Sequence, residues 1–380
     1  AMVKAAPQDG NAVLALGMAQ FALAVERYGR SLHRYGFVFN QSATLVGLRL
    51  PVPINPSPEP LTYEKMRAVF ATYLADLAAV DKTLSELPAG DIKIVLDLYA
   101  VRLDLNGDGK GSDEERLGAI LETLGMMRPG APRRSGPGAA APGASGDAPQ
   151  WIVAFDRADG LWLRGYTRLI AAFNEFVLAH DWRATFDISA HHFFRGAAQP
   201  SHPALRLPRS SSGSFMDEAP FFADLVAWLH LARWPIVEPA RMKEVRRHFK
   251  AVIALSRETW KEVLAETDDE NEWLPAPRQS SRAVTAMPVG EEQVKGWLAA
   301  LDEMEAVLDG TKLLPHWRLS QGFDLKQVLE EPRPFDLVLW ITGHAALPYT
   351  KPGETISART WANWQRVFGG NFLAYAIWFN

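Results

Sequence analysis

The side chains best suited to chemistry lie in one stretch of twelve residues, Asp104-Leu-Asn-Gly-Asp-Gly-Lys-Gly-Ser-Asp-Glu-Glu115. Oxygen-bearing side chains alternate there with glycine and other residues. In a tight turn alternate residues point inward, and a hard cation such as Ca²⁺ wants about seven oxygens at roughly 2.3 to 2.6 Å. Gly109 permits the sharp turn. Calcium is therefore the expected cofactor.

Read at its liganding positions, the stretch resembles the EF-hand class, over residues 104–115 alone. The resemblance implies side-chain oxygens from Asp104, Asn106 and Asp108 and a backbone oxygen from Lys110. It further implies a direct or water-mediated contact from Ser112 and a bidentate closing carboxylate from Glu115. Leu117, Ile120, Leu121 and Leu124 recur at three and four residues in the exiting segment, as a helix requires. The segment leading in, Ile92 to Leu103, is read as a short helix, although Ile94, Leu96 and Leu98 also alternate as in a strand. At the eighth position, where a paired hand carries a β-branched or aliphatic residue, stands Gly111, and no second matching loop occurs in the chain. The expectation is a single structural ion rather than a sensor that opens.

Other candidates are thinner. His191 and His192 are adjacent, which directs them to different faces of a helix or strand and suits chelation poorly. They are retained as ligand-binding candidates, together with Trp361 and Trp364, which are three residues apart and share a helix face. His180-Asp181 and His344 could act as acid or base, but a hydrogen-bonded structural histidine is the simpler reading. The acidic run Glu266 to Glu272 ends a helix; it reads as a solvated helix end that needs compensation against the dipole, with a second cation as the rival. There is no His-Glu-x-x-His, no Glu-x-x-His, no Gly-x-Ser-x-Gly elbow and no phosphate-binding Gly-Lys-Ser/Thr sequence. With no cysteine at all, disulfides, thiolate zinc sites and thiol catalysis are excluded.

Forty basic against forty-four acidic residues leave a net charge of -4, which offers no basic field for nucleic acid. The mixed signs of Arg241 to Arg247, with Glu238 and Glu244 nearby, agree. The longest apolar runs, such as Phe221 to Leu231, fall short of the roughly 20 residues needed to cross a bilayer, so no membrane span is expected.

The elements that must position these groups are mainly α-helical. Apolar periodicity predicts helices over Ala12 to Tyr35, Thr62 to about Leu87, Asp156 to about Ala179, Met216 to Ala232, Pro239 to Glu266, Glu291 to Leu308 and Ala358 to Phe368. Thr62 and Ser357 are natural N-caps, Pro239 suits a first turn and Gly369 a stop. About eight helices and no strand ladder are expected. Val338 to Ile341 and Ala374 to Trp378 fit strand or buried helix equally. The proline-rich 51–60 favours an extended connection, and 201–214 reads as a loop. Residues 128–150, rich in Pro, Gly, Ala and Ser, read as a linker between a helical region at 1–127 and another at 151–380, which could pack together as one domain. The fold class expected is a multi-helix array with an embedded helix-loop-helix, a divergent α-solenoid of the tetratricopeptide kind being compatible with it.

The opening Ala1-Met2-Val3-Lys4 is read as a mature segment whose export signal has been removed. An isolated calcium loop suits compartments where calcium stays near millimolar, so a periplasmic or secreted protein is expected. The leading expectation is an exported calcium-binding helical protein with a binding or scaffold role toward a protein, peptide or glycan. The rival is an exported hydrolase or lyase whose His, Asp and Glu groups come from distant helices.

Overall fold

The computed structural model describes residues 9–39, 50–126, 150–198, 215–280, 282–284 and 287–380, with side chains of 215–221 excepted. Of the expected linker at 128–150, residues 128–149 lie outside the described residues, as does the expected loop at 201–214. Twelve α-helices and four short strands form the described part, so the chain is mainly α.

Three long helices start on the caps that the sequence offers. In α1 (Gly10–Arg34) the Asp9 carboxylate accepts from the Ala12 N–H at 3.2 Å, and Thr62 does the same for Lys65 at 3.3 Å in α2 (Tyr63–Leu84). Following α3 (Leu117–Thr123), α4 (Arg157–Ala179) opens on a reciprocal capping box between Asp156 and Asp159. The chain continues through α5 (Arg183–Ser189), α6 (Phe215–Leu231) and α7 (Pro239–Ala265), with Pro239 in the first turn of α7. Then come α8 (Glu291–Leu308), α9 (Leu325–Glu330), α10 (Leu337–Ile341), α11 (Ala358–Phe368) and α12 (Phe372–Trp378). Gly369, at φ 58°, ends α11 in the left-handed region where glycine carries no Cβ penalty.

The most extensive helix pair is α4 against α7; α2 packs on both α1 and α4, and α8 bridges α7 and α11. The largest core cluster gathers Trp260, Trp297, Trp378 and Phe379 around α7, α8 and α12. A second surrounds Tyr28, Phe70 and Tyr73, and a third joins Val13, Leu14, Val80, Leu84 and Leu163. Each cluster draws side chains from both sides of 128–150.

The segment leading into the 104–115 loop is not helical. Residues Ile94–Asp97 form strand β1, antiparallel to β2 (Ile152–Phe155) in the register Ile94↔Phe155 through Asp97↔Ile152. The alternation wins because it matches burial: Val95 is exposed while Leu98 is buried. Asp97 then ends the strand by accepting from the Tyr99 and Trp151 N–H groups at 3.0 and 2.9 Å. The expected helix-loop-helix is thus a strand, a turn, the loop and α3. A second, two-residue ladder pairs β3 (Arg233–Trp234) with β4 (Phe335–Asp336). Both ambiguous apolar runs are helices, α10 and α12; Val338, Leu339 and Ile341 of α10 are nonetheless exposed.

Candidate functional site

The loop at 104–115 is closed at its neck by an antiparallel bridge between Arg102 and Arg116 and by the Leu103 N–H donating to the Glu115 carbonyl at 3.0 Å. Inside, side-chain oxygens accept the loop amides in order. Asp104 accepts from Gly107 and Gly109 at 2.7 and 3.1 Å, Asn106 from Asp108 at 2.9 Å, and Asp108 from Lys110 at 2.7 Å. Gly107 and Gly109 take φ values of 76° and 78°, which only glycine adopts without strain. Glu115 is buried, with one oxygen accepting from Leu105 and Asn106 and the other from the Ser112 N–H at 2.9 Å.

The loop is tied to α1. Arg30 donates to the Asp104 carbonyl at 2.8 Å and to its carboxylate at 2.7 Å, and the Glu26 carboxylate accepts from the Asp104 N–H at 3.0 Å. At the eighth position a Cβ on Gly111 would lie 2.6 Å from the Arg102 side chain, whose guanidinium donates to the Gly111 carbonyl. Arg102 of the same chain therefore packs over the eighth position. The donor set is all oxygen and fits a hard cation. The carboxylates of Asp104, Asp108 and Glu115 do not bring three oxygens within 4.8 Å of one another; they face the loop amides and Arg30 instead. An ion would have to draw them together.

Three carboxylates outside the loop do converge. Asp156, Glu266 and Glu272 place oxygens within 4.8 Å of one another at a pocket of about 280 Å³ that Lys93, Arg157 and Asp268 also line. The acidic run 266–272 is thus split. Thr267 to Asn271 is exposed, whereas Glu266 turns inward and Glu272 is buried. The compensation required at the end of α7 comes from Arg278, which donates to the Leu264 carbonyl at 3.1 Å. Desolvation, then the Asp156 charge and its hydrogen bond, push the Glu266 carboxyl up to about 9. Burial also raises Asp156, Asp159 and Glu272. The buried Glu266 and Asp156 carboxyls, hydrogen-bonded to each other, accordingly hold a proton to a higher pH than an exposed carboxyl does.

A stability signature follows. Glu266 in the unfolded chain titrates near its ordinary 4.5, so below that pH both states are protonated and nothing is lost. Between there and about 9 the unfolded chain releases a proton that the folded chain retains, and stability falls throughout this window. Raised values at Asp156, Asp159 and Glu272 act in the same sense. The urea midpoint is expected to drop from pH 5 to pH 9, and Glu266→Gln to remove about 2 kcal/mol of that slope, a figure discounted for the solvent access of a half-buried group. An identical pH dependence in parent and variant would refute this placement of the proton.

Adjacency does not keep the two histidines apart. The 3₁₀ turn Ala190–His192 brings both rings, 4.0 Å between centroids, to the same oxygen of Asp224 on α6. Backbone spacing describes Cβ directions, whereas a ring nitrogen sits well beyond Cβ and can swing about χ1 and χ2. His180 is a structural histidine, bonded to the Phe176 carbonyl at 2.7 Å and pushed toward its neutral form by burial. His344 is exposed and pairs with the Thr342 hydroxyl.

A large apolar cavity of about 2110 Å³ lies between α1, α4, α7, α8 and the segment from 314 to 378. Met18, Phe21 and Val25 of α1 line it, with Trp162 and Phe173 of α4, Phe249 of α7 and Trp297 of α8. Asp159, His180, His316, Arg333 and Asp336 are among its few polar groups. Trp317, Trp361 and Leu373 stand at its rim with exposures of 79%, 51% and 77%, which places an opening there. Trp364 is buried behind the rim, stacked on Phe372 at 4.9 Å and edge-on to Trp361 at 5.9 Å. No periodicity within one helix announces such a space, because its walls come from elements hundreds of residues apart.

Compared with protein-family models, with curated proteins and with solved structures, the chain finds no match, so its residues alone carry the functional reading.

Proposed function

We propose that the protein is an exported, calcium-stabilised helical binding protein whose ligand is a lipid or another amphiphile with long apolar chains. The cavity carries this reading. Pockets for small molecules span about 300–1,000 Å³, and this one is about 2110 Å³ with walls built chiefly of aliphatic and aromatic side chains. Such walls reward an apolar chain by desolvation and offer too few polar partners for a glycan. The EF-type loop holds Ca²⁺ in a structural role, between α1 and α3. Export suits both, since a weak calcium site stays filled where calcium is near millimolar.

Tryptophans in the wall make the test direct. A phospholipid brominated along its acyl chains is expected to quench the fluorescence of Trp162, Trp297, Trp361 and Trp364 saturably, near one ligand per chain. Solvent extraction of the purified protein is expected to release lipid. An unquenched titration together with a lipid-free extract would end this reading.

A second reading, a hydrolase or lyase, is favoured by one observation: Glu266 and Asp156 converge at an accessible pocket, where burial raises both carboxyls, and a carboxyl pair is what acid-base hydrolysis uses. It requires turnover of chromogenic glycosides or esters that disappears in Glu266→Gln.

A further inference from the structure

We propose that His191, His192 and Asp224 form a binding site for a divalent transition-metal ion, zinc before others, at the junction of the 3₁₀ turn Ala190–His192 with α6. The strongest observation is His191. Its side chain is only 5% exposed; Nδ1 has no hydrogen-bond partner, and Nε2 meets only the Asp224 oxygen, at a long 3.5 Å. Burying an imidazole in that condition costs about 1–3 kcal/mol, and a metal bond is one of few ways to offset it.

Geometry supplies the second argument. The Nε2 atoms of His192 and His191 lie 3.1 and 3.5 Å from the same Asp224 oxygen, and all three ligand atoms fall within 4.8 Å of one another. Zinc bonds of about 2.0–2.1 Å give a tetrahedron edges of roughly 3.3–3.4 Å. The two histidine-to-Asp224 separations bracket that value, and the third, between the imidazole nitrogens, is within 4.8 Å. Two imidazoles and a carboxylate form a three-ligand set that leaves a fourth position for water. Nitrogen donors select zinc, copper, nickel or iron over calcium and magnesium. The Asp224 carboxylate offsets half of the ion's charge.

The test uses the full chain, stripped with chelator, dialysed, and held in excess Ca²⁺ so that the 104–115 loop does not report. Calorimetry with zinc chloride is expected to show one equivalent bound. Co²⁺ in its place is expected to give the strong visible absorption of a tetrahedral complex. Asp224→Asn and His191→Phe should each weaken zinc by more than about 100-fold, since even residues behind the ligands are worth 10–100-fold. Phenylalanine suits the buried ring position, and circular dichroism reports whether each variant folds. If one does not, the other variant and the parent cobalt spectrum still decide. No stoichiometric zinc heat in the parent, an octahedral cobalt spectrum, or unchanged affinity in the folded variants would overturn the proposal.

Discussion

Replacing Glu115 with glutamine is expected to cut calcium affinity by more than about 100-fold and to weaken the metal-free protein as well. Glu115 is the position to which the EF-hand resemblance gives the bidentate closing carboxylate. It is buried, so its charge has no solvent to turn to. Its two oxygens accept three backbone amides, from Leu105, Asn106 and Ser112. Glutamine keeps one oxygen and sets an NH₂ group against an amide that needs an acceptor. Leaving that amide unsatisfied costs about 1–3 kcal/mol, and losing a first-sphere carboxylate removes both charge and a ligand atom from the ion. Calorimetry with calcium chloride reads the first effect, and urea unfolding in chelator reads the second. Asp113, exposed and paired with Arg102 and Arg116, is the control, because Asp113→Asn should leave calcium binding intact. Absence of calcium heat in the parent would remove the ion from the account altogether.

The largest loss of stability is expected from Trp260→Ala, about 3–5 kcal/mol. Trp260 is fully buried on α7, edge-on to Phe379 at 4.7 Å, and its indole N–H donates to the Phe379 carbonyl at 3.0 Å. The same carbonyl accepts from Ser256 at 2.7 Å, and Ser256 in turn accepts from the Trp297 indole at 2.9 Å. One substitution therefore opens an indole-sized void and takes one of the two donors from a buried carbonyl. The residue at 260 also fixes α12 against α7 and α8, a boundary of the apolar cavity. Chemical unfolding measures the loss. A cost under 1 kcal/mol would mean that this junction collapses far more easily than its packing indicates.

What could be read in the sequence was local. Caps and periodicity placed α1, α2, α4, α7, α8 and α11 to within a few residues, because Asp156, Thr62, Pro239 and Ser357 act on their own helix starts. The loop at 104–115 was visible for the same reason: its donors are neighbours in the chain. At Ile92 to Leu103 two periods competed over a few residues, and a partner 58 residues away, strand β2, decided for strand. The inward turn of Glu266 depends on Asp156 and on Gln279, which donates to it at 3.1 Å; neither lies on its helix. The meeting of His191 with His192 on Asp224 arises from ring rotation and from α6. The cavity is a gap between elements, and a gap leaves no residue pattern.

Arg30 and Glu26 hold the 104–115 loop against α1, and Glu115 leads through Arg116 directly into α3. Met18, Phe21 and Val25 of α1 and Ile120, Leu121 and Leu124 near α3 all face the cavity. An ion in the loop and a lipid in the cavity would therefore pull on the same pair of helices, and two ligands acting on one element are reciprocally linked: each changes the other's affinity by the same factor. Calcium abundance would then serve as an address. Cargo would be held tightly where the ion is plentiful and surrendered where it is scarce, without a second protein to give the signal.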